Sequence, residues 1–533
     1  MTSTKNKLLY LIIAVVGIVV TACQSTTQNN QMDSQTLFLH LGGEPTYLNP
    51  VLSTDSPSSS VEGFIFSGLF KVNANLELEP DLVSTYSVNV SGTEYVFQLK
   101  RNVNWHDGQP FTANDVKFTF DVILDKNTNT VRRSGYVLDG IPIQFSVIDD
   151  YTIKAILPKP FAPFLNRMAI GILPKHILKN EDINKTAFNR APIGTGPYKF
   201  KRWESAQYVQ LERNEEYYFS IPKIKNIIMK IIPDSNTALL ALEKGEIDES
   251  GIPAKDYERY LKKPNITIHQ YYDLVYTYLG FNLDHPVFSD PKVRKAIAYA
   301  INKEAIVKGV LKGFGVVANI PSSPVLWSYP PEANIPKFDY NVKKAQQLLK
   351  EAGFKLNEKT NQLEKNGQPF SFKIITNKGN KYREKSAQII QQMLSSIGID
   401  VSIQLLEWSA FIKIVNADQA PKEYDAVILG WSLGLDPDSY SIWHSSQYPK
   451  GFNFIGYNNA NVDQLLEQGR TTTNKADRKV IYQQLYQKIA SDVPYIFLYF
   501  PETILGVNKR VKGLSEAGPA GLMNPIEDVY LVQ

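Results

Sequence analysis

Ser432 sits in Gly430-Trp431-Ser432-Leu433-Gly434, a G-x-S-x-G arrangement. On a sharp strand-to-helix turn, that spacing lifts a serine hydroxyl towards a histidine base for acyl transfer. The chemistry needs a helix directly after the serine, and Asp436-Pro437 breaks one. It also needs a later histidine; the one downstream, His444, stands too near for the usual chain order. The six histidines (His40, His106, His176, His269, His285 and His444) include no i, i+4 pair and no HExxH, so neither a catalytic metal nor any other cofactor is expected. Gly194-Thr195-Gly196-Pro197 could suggest a phosphate cradle, but Pro197 lacks the amide hydrogen a cradle would use, so a tight turn is expected. His106-Asp107-Gly108 reads as a turn feeding Phe111 and a helix after Thr112, with Asp115 placed for a capping box. No catalytic residue is assigned, and no enzyme is expected.

The elements around these residues mix strands and helices. Phe370, Phe372 and Ile374 alternate as a strand; Ala387, Ile390, Leu394 and Ile397 follow at helical spacing; Gly398 stops that helix; Ile399, Val401, Ile403 and Leu405 alternate again. This is a βαβ unit. Asp290-Pro291 starts a helix whose apolar face carries Val293, Ala296, Ile297, Ala300 and Ile301, with Gly313 available to end the segment. A further helix carries Ala345, Leu348, Leu349 and Ala352 and stops at Gly353. Ala426-Val427-Ile428-Leu429 predicts a strand covered on both faces, emptying into a loop from Gly430 to Pro437. Ligands of open α/β sheets gather where strands end, so this Gly-Trp loop is the candidate site.

The chain has 533 residues and a single cysteine, Cys23. Lys5 and Lys7 precede an apolar run from Leu8 to Ala22, about 15 residues long and short of the ~20 that a spanning helix needs. Thr21-Ala22 places small residues before Cys23, the layout of a secretory signal peptide. With a thiol at the first mature position, the segment resembles a bacterial lipoprotein signal, although Val20 and Thr21 depart mildly from its commoner residues. The expectation is a signal peptide over 1–22, a lipid on Cys23 and a polar, flexible tether over 23–35. Lys+Arg number 57 against 53 Asp+Glu, a net +4; the signal removes two lysines and no acids, leaving +2. That balance argues against nucleic acid, which demands clustered basic charge. About 510 mature residues allow two or three domains, and with one cysteine none is stapled by an internal disulfide.

Six blocks then coincide in order: Glu44-Pro45 with Leu48-Asn49-Pro50, WHDGQPFTANDV (105–116), GTGPY (194–198), ALLALEKGEID (238–248), VRKAIAYAINKEAIV (293–307) and GWSLGLDPDSY (430–440). Together they resemble the cluster-5 extracytoplasmic solute-binding proteins of ABC transporters, which include oligopeptide, dipeptide and nickel-complex receptors. The resemblance implies a mixed α/β, periplasmic-binding-protein-like fold (type II, cluster C). Its two lobes would be joined by crossing strands near 276–283 and 495–505. The implied division is 36–57, 190–283 and 499–533 for lobe I, an extra subdomain over 58–189, and 284–498 for lobe II.

It also implies a monomeric, lipid-anchored extracytoplasmic receptor that binds a solute, most simply a peptide, and delivers it to an ABC permease with its own ATPase subunits. A metal chelate or an oligosaccharide is the alternative solute, and a secreted hydrolase using Ser432 the alternative class. The implied ligand-lining positions are Thr54, Asp55, Ser56, Trp408, Gly430, Trp431, Ser432, Leu433, Gly434 and Asp436. Peptide receptors of the family hold the ligand ammonium with an aspartate shortly after the Gly-Trp pair. Here Gly434 stands there, leaving Asp436 or Asp55 as the expected counter-charge if the ligand carries a free amine.

Overall fold

The computed structural model describes residues 35–532; the signal segment, Cys23 and nearly all of the tether lie outside the described residues. The first lobe is built on a four-stranded sheet. Thr36–Leu41 lies parallel to Asn226–Ile231, which pairs antiparallel with Tyr208–Arg213, and that in turn with Tyr198–Glu204. A second, antiparallel sheet (Val83–Val88, Glu94–Leu99, Thr152–Ile156, Gln144–Asp149) forms an attached subdomain with the helix Ala113–Leu124. Thr112 and Asp115 close the expected capping box there, the Asp115 carboxylate accepting the Thr112 N–H at 2.9 Å. One apolar core runs through both sheets, from Leu37, Val209 and Ile227 to Phe97 and Phe120, so the subdomain is packed onto the lobe rather than tethered to it.

The second lobe contains the βαβ unit: Ser371–Asn377, the helix Lys381–Ser395 and Asp400–Leu406, with the strands parallel and Ile374 opposite Ile403. Ala387, Ile390 and Leu394 are buried as the periodicity requires, and Gly398 adopts the positive φ (+85°) that ends the turn. Ala426–Ser432 lies beside Ser371–Asn377, and all four residues from Ala426 to Leu429 are buried. The helix opened by Asp290 and Pro291 ends at Ala300 rather than continuing towards Gly313. Asn302 caps a new segment by accepting the Ala305 N–H at 2.8 Å, a local side-chain bond that outcompetes continuation.

The strand Tyr495–Asn508 ties the lobes together. Its first half pairs with Val275–Phe281 in the second lobe's sheet, and its second half with Ile266–Tyr272 and Glu249–Gly251 against the first lobe. The chain from Ile266 to Phe281 therefore runs antiparallel beside it, bending at Asp273-Leu274. Two adjacent extended crossings thus connect the lobes.

Candidate functional site

The Gly-Trp segment is not the loop expected from the sequence. Gly430, Trp431 and Ser432 continue the buried strand and pair with Thr277, Tyr276 and Val275; the loop begins only at Leu433, whose N–H reaches Leu274 O at 2.7 Å. On its other edge this strand meets Ser371–Asn377 only at Ala426 and Val427, so the Gly430–Ser432 edge has no strand partner among the described residues. Ser432 is exposed at a strand end, with no helix directly behind it and no hydrogen bond to a histidine among the described residues. Its surroundings lack the geometry of a nucleophile elbow.

Two cavities lie between the lobes, and the second is lined by this strand end. One, of about 440 Å³, is lined by His40, Ser56, Asn377, Arg383, Trp408 and Thr503 among others. The second, of about 330 Å³, lies against Trp431–Asp438, with Pro163, Arg167, Leu326 and Tyr486 opposite. Trp408 opens the helix Trp408–Val415 under a Glu407 cap, and its ring fits against Gly43 of the first lobe. A Cβ at Gly43 would stand 2.8 Å from Trp408 Cγ, so glycine is needed for that approach. The Trp408 indole N–H is buried without an acceptor. Trp431 stacks on Phe454 with ring centroids 5.3 Å apart.

The lobes touch around these cavities. Asn416 donates to Thr54 Oγ1 at 2.8 Å, Lys381 meets Asp234 at 2.9 Å, Arg167 meets Asp438 at 2.6 Å, and Arg470 donates to Ser134 O at 2.7 Å.

Both expected counter-charges have partners within the protein. Asp55 is the N-cap of the helix Ser56–Ile65: it accepts the Ser58 N–H at 3.0 Å and the hydroxyls of Ser58 and Thr46, and is 4% exposed. Asp436 is held by both terminal nitrogens of Arg478, each at 2.8 Å, with the side chains 12% and 7% exposed. A carboxylate already in a bidentate pair is a poor partner for a second cation. Gly434 has open space where a Cβ would stand, the nearest atom being Asp436 O at 3.9 Å.

Sequence reasoning missed Arg383. It lies in the first turn of Lys381–Ser395, facing the cavity by Trp408, and donates to Asn377 Oδ1 at 2.8 Å. Among the described residues no carboxylate pairs with it, and burial depresses its pKa. Its terminal nitrogen approaches the strand so closely that a Cβ on Gly430 would come within 2.9 Å. A cation in a helix's first turn opposes the macrodipole, and that unfavourable placement was the one signal available in the sequence.

The remaining motifs are structural. Gly194 and Gly196 lie on the end of the helix Ser56–Ile65, where a Cβ on Gly194 would meet Ile65 O at 1.9 Å, and Gly196 N–H binds that oxygen at 2.8 Å. His106 contacts Gly196 O at 3.0 Å, and burial pushes its pKa down to about 4, leaving a neutral packing residue. No group of three or more His, Cys, Asp or Glu suited to a metal occurs among the described residues. None of their helices is long and apolar enough to cross a membrane.

Comparison with known proteins agrees with this architecture. Residues 77–453 match the family described as bacterial extracellular solute-binding proteins, family 5 Middle. The oligopeptide-binding protein AppA of Bacillus subtilis is 37% identical over 550 residues, covering 100% of this chain and 99% of the relative. The AppA structure, in complex with a nonapeptide, superposes with a TM-score of 0.89 at 38% identity over 93% of this chain and 99% of that one. NikZ from Campylobacter jejuni, in complex with Ni(L-His), gives 0.84 at 31% identity over 94% and 100%. DppA from Helicobacter pylori, in complex with the peptide STSA, gives 0.83 at 28% over 93% and 98%. A two-lobed α/β body with a cleft between the lobes, matched along nearly its whole length, places this chain in family 5 of the bacterial extracellular solute-binding proteins.

Proposed function

We propose that this protein captures a peptide between its lobes and delivers it to an ABC permease, whose ATPase subunits drive uptake. The observation that carries the reading is Arg383, a half-buried guanidinium in the inter-lobe cavity with no carboxylate paired to it among the described residues. It suits a ligand carboxylate, such as a peptide C-terminus. Beside it the unpartnered Gly430–Ser432 edge can take an extended backbone as an added strand, and the buried Trp408 N–H offers a donor to a peptide carbonyl. Ser56, Trp408, Gly430, Trp431, Ser432, Leu433 and Gly434 line the ligand in this reading. Thr54 makes a closing contact, and Asp55 and Asp436 hold the frame. Binding favours the closed state, which the permease recognises. The chain performs no chemistry on its solute.

The lobes are assigned as 36–57, 190–283 and 499–533 for the first, 58–189 for its subdomain and 284–498 for the second. Ligand released by denaturing the purified protein tests the reading by mass spectrometry: peptides support it, whereas a nickel chelate or an oligosaccharide would replace it. Cys23 is assigned as the lipid-bearing residue that anchors a monomeric receptor outside the cytoplasm. Cys23→Ser is expected to leave uncleaved precursor without lipid; processing and membrane partitioning like the parent's would refute the anchor.

A further inference from the structure

The charges around the second cavity do not balance. Its charged lining residues are Arg167, Asp436 and Asp438. Asp436 is matched by Arg478, and Asp438, whose side chain is 1% exposed, is shared by Arg167 at 2.6 Å and by Arg470 at 3.3 Å. Three guanidiniums therefore surround two carboxylates. Arg470 is spent elsewhere as well, on Ser134 O and over the Tyr440 ring, and is 4% exposed. Arg167 differs: its side chain is 30% exposed and lines the cavity, and only one terminal nitrogen is engaged, leaving Nε and the other terminal nitrogen without a hydrogen bond among the described residues.

Among the described residues, Asp438 and Asp436 supply the negative charge around Arg167, and against the cost of burial they hold its pKa above the ordinary arginine value. Behind Arg167 stands a further cation, Arg132, which donates to Ser53 O at 2.8 Å. The nearby carboxyl, Glu62, is raised by burial to about 8, against the pull of Arg132, so it is mostly neutral at pH 7; one of its oxygens is buried without a partner. A cation facing a cavity that closes over a ligand needs a partner from the ligand or retained water. One added carboxylate would bring three acids against the three guanidiniums, and Arg167 has donors on Nε and one terminal nitrogen that are not engaged among the described residues.

We propose that the cavity beneath Trp431–Asp438 receives an anionic group of the solute, the carboxylate of an acidic peptide side chain, and that Arg167 selects it. This rests on the peptide reading above. It also gives Gly434 a reason: an acid there would face the same cavity and cancel the surplus charge that Arg167 provides.

The test exposes the full chain in detergent to a synthetic random nonapeptide library and sequences the retained peptides by mass spectrometry. The wild type is expected to enrich Glu and Asp at one position about tenfold over the input, the ratio worth ~1.4 kcal/mol. Arg167→Gln is expected to abolish that enrichment while still retaining peptides, since loss of the Arg167–Asp438 contact weakens closure for every peptide alike. Enrichment absent from the wild type, or unchanged in the variant, overturns the subsite and leaves the peptide reading standing. Retention of no peptide by the wild type sinks both. If Arg167→Gln does not fold, calorimetry on the wild type decides with one retained peptide and its Glu→Gln or Asp→Asn counterpart. A roughly tenfold weaker amide supports the subsite, and equal affinity overturns it.

Discussion

Arg383→Gln is expected to weaken binding of a peptide with a free C-terminal carboxylate by roughly 30-fold or more, since truncating one partner of a buried charge pair costs ~2–5 kcal/mol. Glutamine retains a donor for Asn377 Oδ1, so the strand end and the helix start should stay in place. The informative comparison is the C-terminally amidated form of the same peptide, measured by calorimetry. The wild type should bind it far more weakly than the free acid, and Arg383→Gln should bind the two about equally. If the variant keeps the wild-type preference for the acid, Arg383 is not the carboxylate partner. Among the described residues no carboxylate pairs with the guanidinium, so its desolvation cost goes uncompensated until a ligand supplies the charge.

Asp436→Asn should act on folding rather than on ligand charge. The mutation leaves Arg478, whose side chain is 7% exposed, without its carboxylate. Breaking a buried pair from one side costs about 3–5 kcal/mol. Denaturant unfolding should show a loss of that order. Replacing the pair together, Asp436→Leu with Arg478→Met, should recover part of it, because no isolated charge then remains. The relative affinity for free and N-acetylated versions of one peptide should be unchanged by Asp436→Asn. A variant of parental stability whose discrimination between those peptides collapses would restore Asp436 as the ammonium partner.

Much of the frame was readable from residue order. The βαβ unit was legible because its two periods, 2 and 3.6, switch cleanly, and because Gly398 terminates the helix with a positive φ. The Thr112–Asp115 box and the Asp290 cap were legible because their hydrogen bonds join residues two or three positions apart. The Gly-Trp segment was misplaced by its glycines. Gly430 looks like a chain break, yet it lies within a strand, where a Cβ would stand 2.9 Å from the Arg383 guanidinium and 3.0 Å from Tyr276 O. No local pattern reveals a neighbour that arrives from 47 positions away in sequence.

The same limit governs the charges. Residue order determined that carboxylates follow the Gly-Trp pair, and the family resemblance implied that Gly434 stands where relatives place an acid. They could not determine which carboxylates are free. Asp436 meets Arg478 and Asp438 meets Arg470 only because the helices Ala460–Thr471 and Lys475–Asp492 pack beneath the loop, and Arg167 arrives from the other lobe. Secondary structure and end signals are short-range, set by backbone geometry and bonds within a few residues, so the sequence by itself determined the α/β frame, the caps and the apolar faces. The electrostatic character of the cleft depends on which long side chains converge after the lobes have folded. Coulombic interaction follows distance in space rather than separation along the chain, so only the tertiary structure decided that Asp436 and Asp438 are paired with arginines and that Arg383 and Arg167 face the cavities between the lobes.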